Sequence, residues 1–421
     1  MPSEQEIVVT GIGVVSPIGI GKDAFWSALC HGRSGIRRFD LWKDDGLPPP
    51  FGADVADFDP KVYIRPRKSL KVMSRDIQLG FAAADLASTD GAVHQRGVDP
   101  ERLGVIFGAD LMTCEVAEMI GVYRSCTANG GFDFRLWGEK AMSELYPLWL
   151  LKYLPNMPAC HIGIAHDARG PNNTIMLREV SSLAAVVEAV RVLDRGQADL
   201  LLTGGTASRL HPATWLHTDV LEYSRRSDDP PAASRPFDAD RDGMVNGEGA
   251  ASFVVETRRH AEARGVPILA RILGYGAAIE PRRRNQPLQG IAIRRAIASA
   301  LADARLTPGQ IGFVSANGLS TLHDDRIEAQ AIRATLGDVP VTGLKSYFGS
   351  LGAGSGAVEM AGALLALAAG QVPPTLNYQR PDADCPIRVI HGQPMPLSRP
   401  SALVLNHSRQ GQAVALVLGS A

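Results

Sequence analysis

The chain has 421 residues, of which 45% are hydrophobic and 21% charged, with a formal net charge of −1. That length and apolar content support a large buried core, arranged as two domains or as one duplicated domain. The charge balance excludes a general polyanion-binding role, because nucleic-acid affinity rests on many phosphate-neutralising cations.

The opening residues before Ile7 are polar and carry no secretory pattern. Arg65, Arg67, Lys68 and Lys71 then crowd one short stretch, which by spacing alone reads equally as a solvated helix start or a docking patch. Short apolar runs ending in glycine or small polar residues read as buried strands: Gly104 to Gly108, Leu200 to Gly204, Gly312 to Ala316 and Leu403 to Leu405. His161 and His166 flank the strand before Glu179 and are read as structural. Ser181 to Val192 is apolar on nearly all faces, as a helix packed between layers must be, and Glu179 sits at its N-terminal end. The cluster Arg282, Arg283 and Arg284 after Pro281 reads as an exposed loop. No uncharged apolar stretch reaches the roughly 20 residues of a membrane helix, and the longest candidate, Ala357 to Ala369, contains Glu359 and reads as a buried helix. Cys30, Cys114, Cys126, Cys160 and Cys385 lack metal-ligand spacing, and their odd number argues against a disulfide framework. A reducing cytoplasm is the expected setting, without membrane insertion.

From Ile7–Gly19 through Arg169–Ser182, Leu200–Gly205 and Ser234–Gly243 to Ala402–Asn406, the chain resembles the elongating β-ketoacyl-ACP synthases of fatty-acid and type II polyketide assembly. The resemblance implies a thiolase-like, five-layered α/β/α/β/α sandwich of two pseudo-duplicated halves, 1–256 and 257–421, with no cofactor and no metal. Those enzymes react through Cys, His and His. Here Glu179 stands at the cysteine position, Asn317 opens the motif where the first histidine belongs, and Ser350 closes the Lys345-to-Ser350 motif where the second belongs. An amide exchanges no proton near neutral pH. Claisen condensation needs a soft nucleophile to hold the acyl group and donors to stabilise the developing oxyanion. A carboxylate offers neither, and its attack on a thioester gives an anhydride more reactive than the thioester it replaces. The family's glycine-rich turn near the C-terminus, source of an oxyanion donor, is replaced by Asn406-His407-Ser408-Arg409-Gln410-Gly411-Gln412, which disfavours a preorganised hole.

Glu179 is therefore read first as a cap of the following helix, paired with Arg178 or with another residue of the remodelled pocket. Lys345 and Glu328 match retained family positions and are expected to form a buried scaffold pair, with Asp325 beside them. His323 is assigned to a surface loop. By the same resemblance, residues 146–158 meet a counterpart across a dimer and narrow the acyl tunnel. Arg65, Arg67, Lys68, Lys71 and Arg226 fall where synthases dock an acyl carrier protein bearing an acyl-phosphopantetheine. The pattern looks like that of a chain-length factor, the noncatalytic partner of an active ketosynthase subunit; a homodimer is the alternative assembly. The alternative activity is altered acyl-thioester chemistry through Glu179, of acyltransferase, hydrolase or decarboxylase type.

Overall fold

The structure, a computed structural model, describes residues 5–39, 51–95, 97–217, 222–282 and 286–421. Arg283 and Arg284 lie outside the described residues. The expected apolar runs all form strands, most of them longer than the runs themselves. In the first half these are β1 (Ile7–Ser16), β2 (Leu103–Gly108), β3 (Asn172–Ile175), β4 (Leu200–Ser208) and β5 (Glu248–Thr257). The second half holds β6 (Ala270–Ile279), β7 (Phe313–Ser315), β8 (Pro340–Thr342), β9 (Arg388–Val389), β10 (Ser401–His407) and β11 (Gln412–Ser420).

The two halves repeat one another. Spatial order is β1-β5-β4-β2-β3 in the first and β6-β11-β10-β7-β8-β9 in the second. In each, the first two neighbouring pairs are antiparallel and the next two parallel. They join where β1 pairs with β6, Val8 opposite Arg271 and Val9 opposite Ala270. Thr257, the expected start of the second half, is the last residue of β5.

Helices complete the five layers. α1 (Arg75–Asp90) and α2 (Met157–Ala165) cover the first half of the sheet, and α4 (Ile291–Ala304) and α5 (Leu322–Leu336) cover the second. Between the halves lie α3 (Ser181–Asp194) and α6 (Ser355–Ala369). Sandwiched helices need apolar residues all round. Leu183, Val186, Val190 and Leu193 of α3, with Val358, Met360, Leu364 and Leu367 of α6, are buried in one core. Each such side chain contributes about 1.5–3 kcal/mol. Among the described residues one helical stretch, Gly352–Ala369, is long and apolar enough to cross a membrane, and 83% of it is buried inside the protein.

Candidate functional site

Residues just beyond the carboxyl ends of adjacent parallel strands converge on one buried cluster. Asp110 follows β2, Glu179 follows β3 and Arg209 follows β4, so three neighbouring strands deliver three charges to one place. Arg209 Nη2 lies 2.6 Å from Glu179 Oε1 and 3.1 Å from Asp110 Oδ2. The three side chains are only 12–14% exposed. Burial pushes the Glu179 carboxyl up, but the Arg209 guanidinium and a backbone N–H outweigh it and hold the group below the usual carboxylate range.

The turn Arg178–Val180 that carries Glu179 leads directly into α3, and Arg178 takes a left-handed φ of 55° to make it. The expected helix cap by Glu179 is not formed. Ser181 instead fastens the turn before the helix, its Oγ accepting from Leu177 N at 2.8 Å and donating to the Arg178 carbonyl at 2.6 Å. The Glu179 partner is a pocket residue, Arg209, rather than Arg178. Gly352, at φ 54°, abuts this ion cluster: a Cβ there would lie 2.6 Å from Arg209 Nε and 2.7 Å from Asp110 Oδ2.

The second half repeats the arrangement with different residues. Asn317 follows β7, Lys345 follows β8, and Asn406 and His407 end β10. Asn317 is locked: its backbone N–H donates to Glu328 Oε1 at 2.7 Å, and its carbonyl and Oδ1 accept from Lys345 Nζ at 2.7 and 3.0 Å. The expected Lys345–Glu328 pair is replaced by Lys345–Glu359, at 2.5 Å, both groups fully buried. Glu328 is spent on the backbone N–H groups of Asn317 and Gly318, so the lysine turns to the one carboxylate of the central helix α6. Asn406 Nδ2 closes the network on Glu359 Oε2 at 2.6 Å. Ser350 is buried, and its Oγ has no hydrogen-bond partner. Asp325 receives the backbone N–H groups of Phe237 and Ser320 at 2.8 and 3.0 Å, as a scaffold carboxylate should.

An imidazole does occupy this network, from the turn that stands in place of the family's glycine-rich one. His407 is 5% exposed, with Nε2 3.4 Å from Asn317 Nδ2 and 3.6 Å from Glu328 Oε2. Burial pushes its pKa down, but Glu328 more than offsets this and raises it above the usual histidine value. Sequence reading also missed Arg209, Asp110, Glu359 and Asn406. Only Glu359 left a signal, as the lone charge in an apolar helix.

Arg65, Arg67, Lys68 and Lys71 are all exposed, on and just before the turn Arg67–Val72, which packs beside the turn Trp149–Lys152. Arg226 is set apart from them, donating to the Asp240 carbonyl at 2.8 Å and lying 3.7 Å from Asp242. His323 is in the first turn of α5 rather than in a surface loop, because Thr321 starts the helix immediately before it. His166 is buried against His94, with 2.8 Å between ring nitrogens, and His161 is buried within α2. In 146–158, Tyr146, Leu148 and Leu150 are exposed, while Trp149 packs on Tyr153 with ring centroids 5.5 Å apart. Among the described residues, most exposed large apolar side chains fall between Leu111 and Leu177, near the β3 edge of the sheet.

Duplicated halves, buried central helices and buried polar clusters at the strand ends define a thiolase-like condensing-enzyme fold. Within that class the chain belongs to the β-ketoacyl synthase family: residues 4–261 match its N-terminal domain and residues 269–379 its C-terminal domain. It is 36% identical to a putative polyketide β-ketoacyl synthase 1 of Streptomyces cyaneus, over 90% of each chain. It is 31% identical to 3-oxoacyl-[acyl-carrier-protein] synthase 2 of Synechocystis, over 93% of this chain and 92% of that one. A solved β-ketoacyl synthase from Burkholderia phymatum superposes with a TM-score of 0.88 at 28% identity, covering 99% of both chains. The ishigamide ketosynthase/chain length factor gives 0.83 at 26% identity, again over 99% of both chains.

Proposed function

We propose that this chain is a non-condensing subunit that pairs with an active β-ketoacyl synthase and bounds the space into which the partner's acyl chain grows, as a chain-length factor does. The observation that carries the reading is Arg209 against Glu179 at 2.6 Å. A carboxylate held ionised by a guanidinium is a weak nucleophile and a weak base, and it cannot store an acyl chain as a thioester. The same ion pair disfavours altered thioester chemistry through Glu179. Asn317, held by Lys345 and Glu328, and the hydroxyl of Ser350 supply no proton exchange near neutral pH.

The pairing surface in this reading is β3. It is the edge of the sheet and is followed by exposed Met176 and Leu177, with Leu111 exposed beyond the end of neighbouring β2. Open strand edges flanked by apolar side chains favour association. The likeness to a solved ketosynthase/chain length factor supports a synthase as the partner, with a second copy of this chain as the alternative. Arg65, Arg67, Lys68 and Lys71 supply a cationic surface for an acyl carrier protein, and Arg226, tied to Asp240 and Asp242, adds less. A similar solved complex, 26% identical to this chain, contains a type II polyketide acyl-carrier protein with its ketosynthase. In this reading the halves 1–256 and 257–421 belong to one cytoplasmic assembly.

Co-expression with a synthase that retains Cys, His and His tests this. The expected outcome is a copurifying pair whose chain elongation survives Glu179→Ala. Turnover by this chain alone, abolished by the same substitution, overturns the reading.

A further inference from the structure

A cleft of about 400 Å3 lies at the outer edge of the second half, where the last turn of α5 comes near β9. Arg333, Asp338 and Arg388 line it. Arg333 Nη1 is 2.9 Å from Asp338 Oδ1, and Arg388 Nε is 3.8 Å from Asp338 Oδ2. Two guanidiniums thus share one carboxylate, with an oxygen turned to each. Arg388 makes no side-chain hydrogen bond among the described residues, so its donors are open to solvent or to a ligand.

The rest of the cleft is mostly apolar and firmly held. Tyr378 and Ile387 pack against the core of the second half, and Pro381 and Pro386 line the cleft with them. The turn leading to β9 is tied down by its own backbone: Cys385 N donates to the Asp382 carbonyl at 3.0 Å and Ile387 N to the Cys385 carbonyl at 2.8 Å. Asp382, the other carboxylate on the walls, is already spent. Arg241, 2% exposed, donates to its Oδ2 at 2.5 Å, and Asp384 N donates to its Oδ1 at 2.9 Å. Asp384 itself is exposed on the same turn and lies outside the walls. With Asp382 neutralised by Arg241, the walls keep two guanidiniums against the single carboxylate of Asp338.

We propose that this cleft binds a flat aromatic carboxylate, its ring lying on Tyr378, Pro386 and Ile387 and its carboxylate replacing Asp338 between Arg333 and Arg388. Asp338 shows which anion the two arginines accept, since a carboxylate already bridges them, and the planar guanidinium fork suits that group. Displacing Asp338 costs little: its side chain is 64% exposed, and ion pairs so open to water contribute weakly. Tyrosine and proline faces give a ring apolar contact without a polar group to desolvate, and the volume admits one or two rings. A cationic ligand meets the two guanidiniums and is repelled. The cleft is at the opposite end of the sheet from β3, so this inference stands or fails independently of the proposed pairing.

Calorimetric titration of 2-naphthoate into the full chain tests this, with two controls: 2-naphthylmethanol keeps the ring without the charge, and acetate keeps the charge without the ring. One 2-naphthoate should bind per chain, about tenfold more tightly than either control. Arg333→Gln with Arg388→Gln should weaken that binding about tenfold. Asp338→Asn removes the carboxylate that the ligand must displace and should tighten binding about threefold, a gain that a merely structural Asp338 would not give. Absence of saturable binding overturns the proposal, as does 2-naphthylmethanol binding as tightly as 2-naphthoate. So does full-strength binding to the double arginine variant with near-native circular dichroism. Should that variant not fold, Asp338→Asn decides: unchanged or weaker binding to it overturns the proposal by itself.

Discussion

Glu179 is stabilised by the company it keeps rather than by its place at a helix start. Removing one member of a buried ion cluster leaves its partners desolvated and uncompensated, which is where the large cost arises. Arg209→Met should therefore lower stability by about 3 kcal/mol, through two carboxylates left facing each other. Glu179→Gln, which keeps a hydrogen-bond acceptor for Arg209, should cost clearly less; urea denaturation of the two variants checks the order. Gly352→Ala should also destabilise by about 1–3 kcal/mol, since its Cβ would press on Arg209 and Asp110 and its φ of 54° suits glycine. Glu179, Asn317 and Ser350 are singled out by the motifs around them, as the resemblance implies, and all three are largely buried in the fold. Arg209 was not legible in the sequence, because it lies 30 residues away and meets Glu179 only once β3 and β4 lie on either side of β2. His407 was hidden for a similar reason: it enters from β10, while the motif reading looked for imidazoles along the loops after β7 and β8.

The elements were largely readable. Buried strands and the two central helices announce themselves as apolar runs; most observed bounds extend the expected ones by the residues that finish a strand or a turn, while β7 keeps only Phe313–Ser315 of its run. Partner choice between elements was less so. Glu328 looked free to pair with Lys345 until the backbone of the Asn317 turn claimed both its oxygens. Glu359 could have been chosen from sequence, since a single carboxylate on a fully buried helix demands a buried cation. Helix α1 carries a titration consequence. Asp76, in its first turn, is buried where it accepts from Ser208 N at 2.7 Å, and desolvation pushes its pKa up to about 7. The folded value lies above the unfolded one, so the proton is held more tightly in the native state. The associated stability is full below the unfolded value and is lost as pH rises through about 7. The urea midpoint should accordingly fall as pH rises from about 4 to about 7, and Asp76→Asn should flatten that slope; an unchanged slope would show that Asp76 ionises normally.

At the scale of the whole molecule, the proposed pairing and carrier docking make separable demands. Met176→Lys with Leu177→Lys puts two charges beside β3 and should shift the assembly toward monomer in light-scattering measurements, with the monomer's circular dichroism retained. Lys68→Glu with Lys71→Glu should weaken carrier-protein binding and reduce its salt dependence, while leaving subunit pairing intact. The duplication itself was anticipated from motif resemblance, whereas its exactness in strand order and direction came only from the pairing of strands far apart in sequence.

That repetition is broken at the outer edge of the second half. The strand equivalent to β3 is β8, and β8 is covered by β9, a two-residue strand, through Pro340–Arg388 and Val341–Val389. One end of the continuous sheet is thus blunted by a stub too short to template growth, and the other is left available. A molecule with a single adhesive end can complete a closed twosome but has nothing left with which to recruit a third, so concentration should drive it to a finite complex and not to fibres.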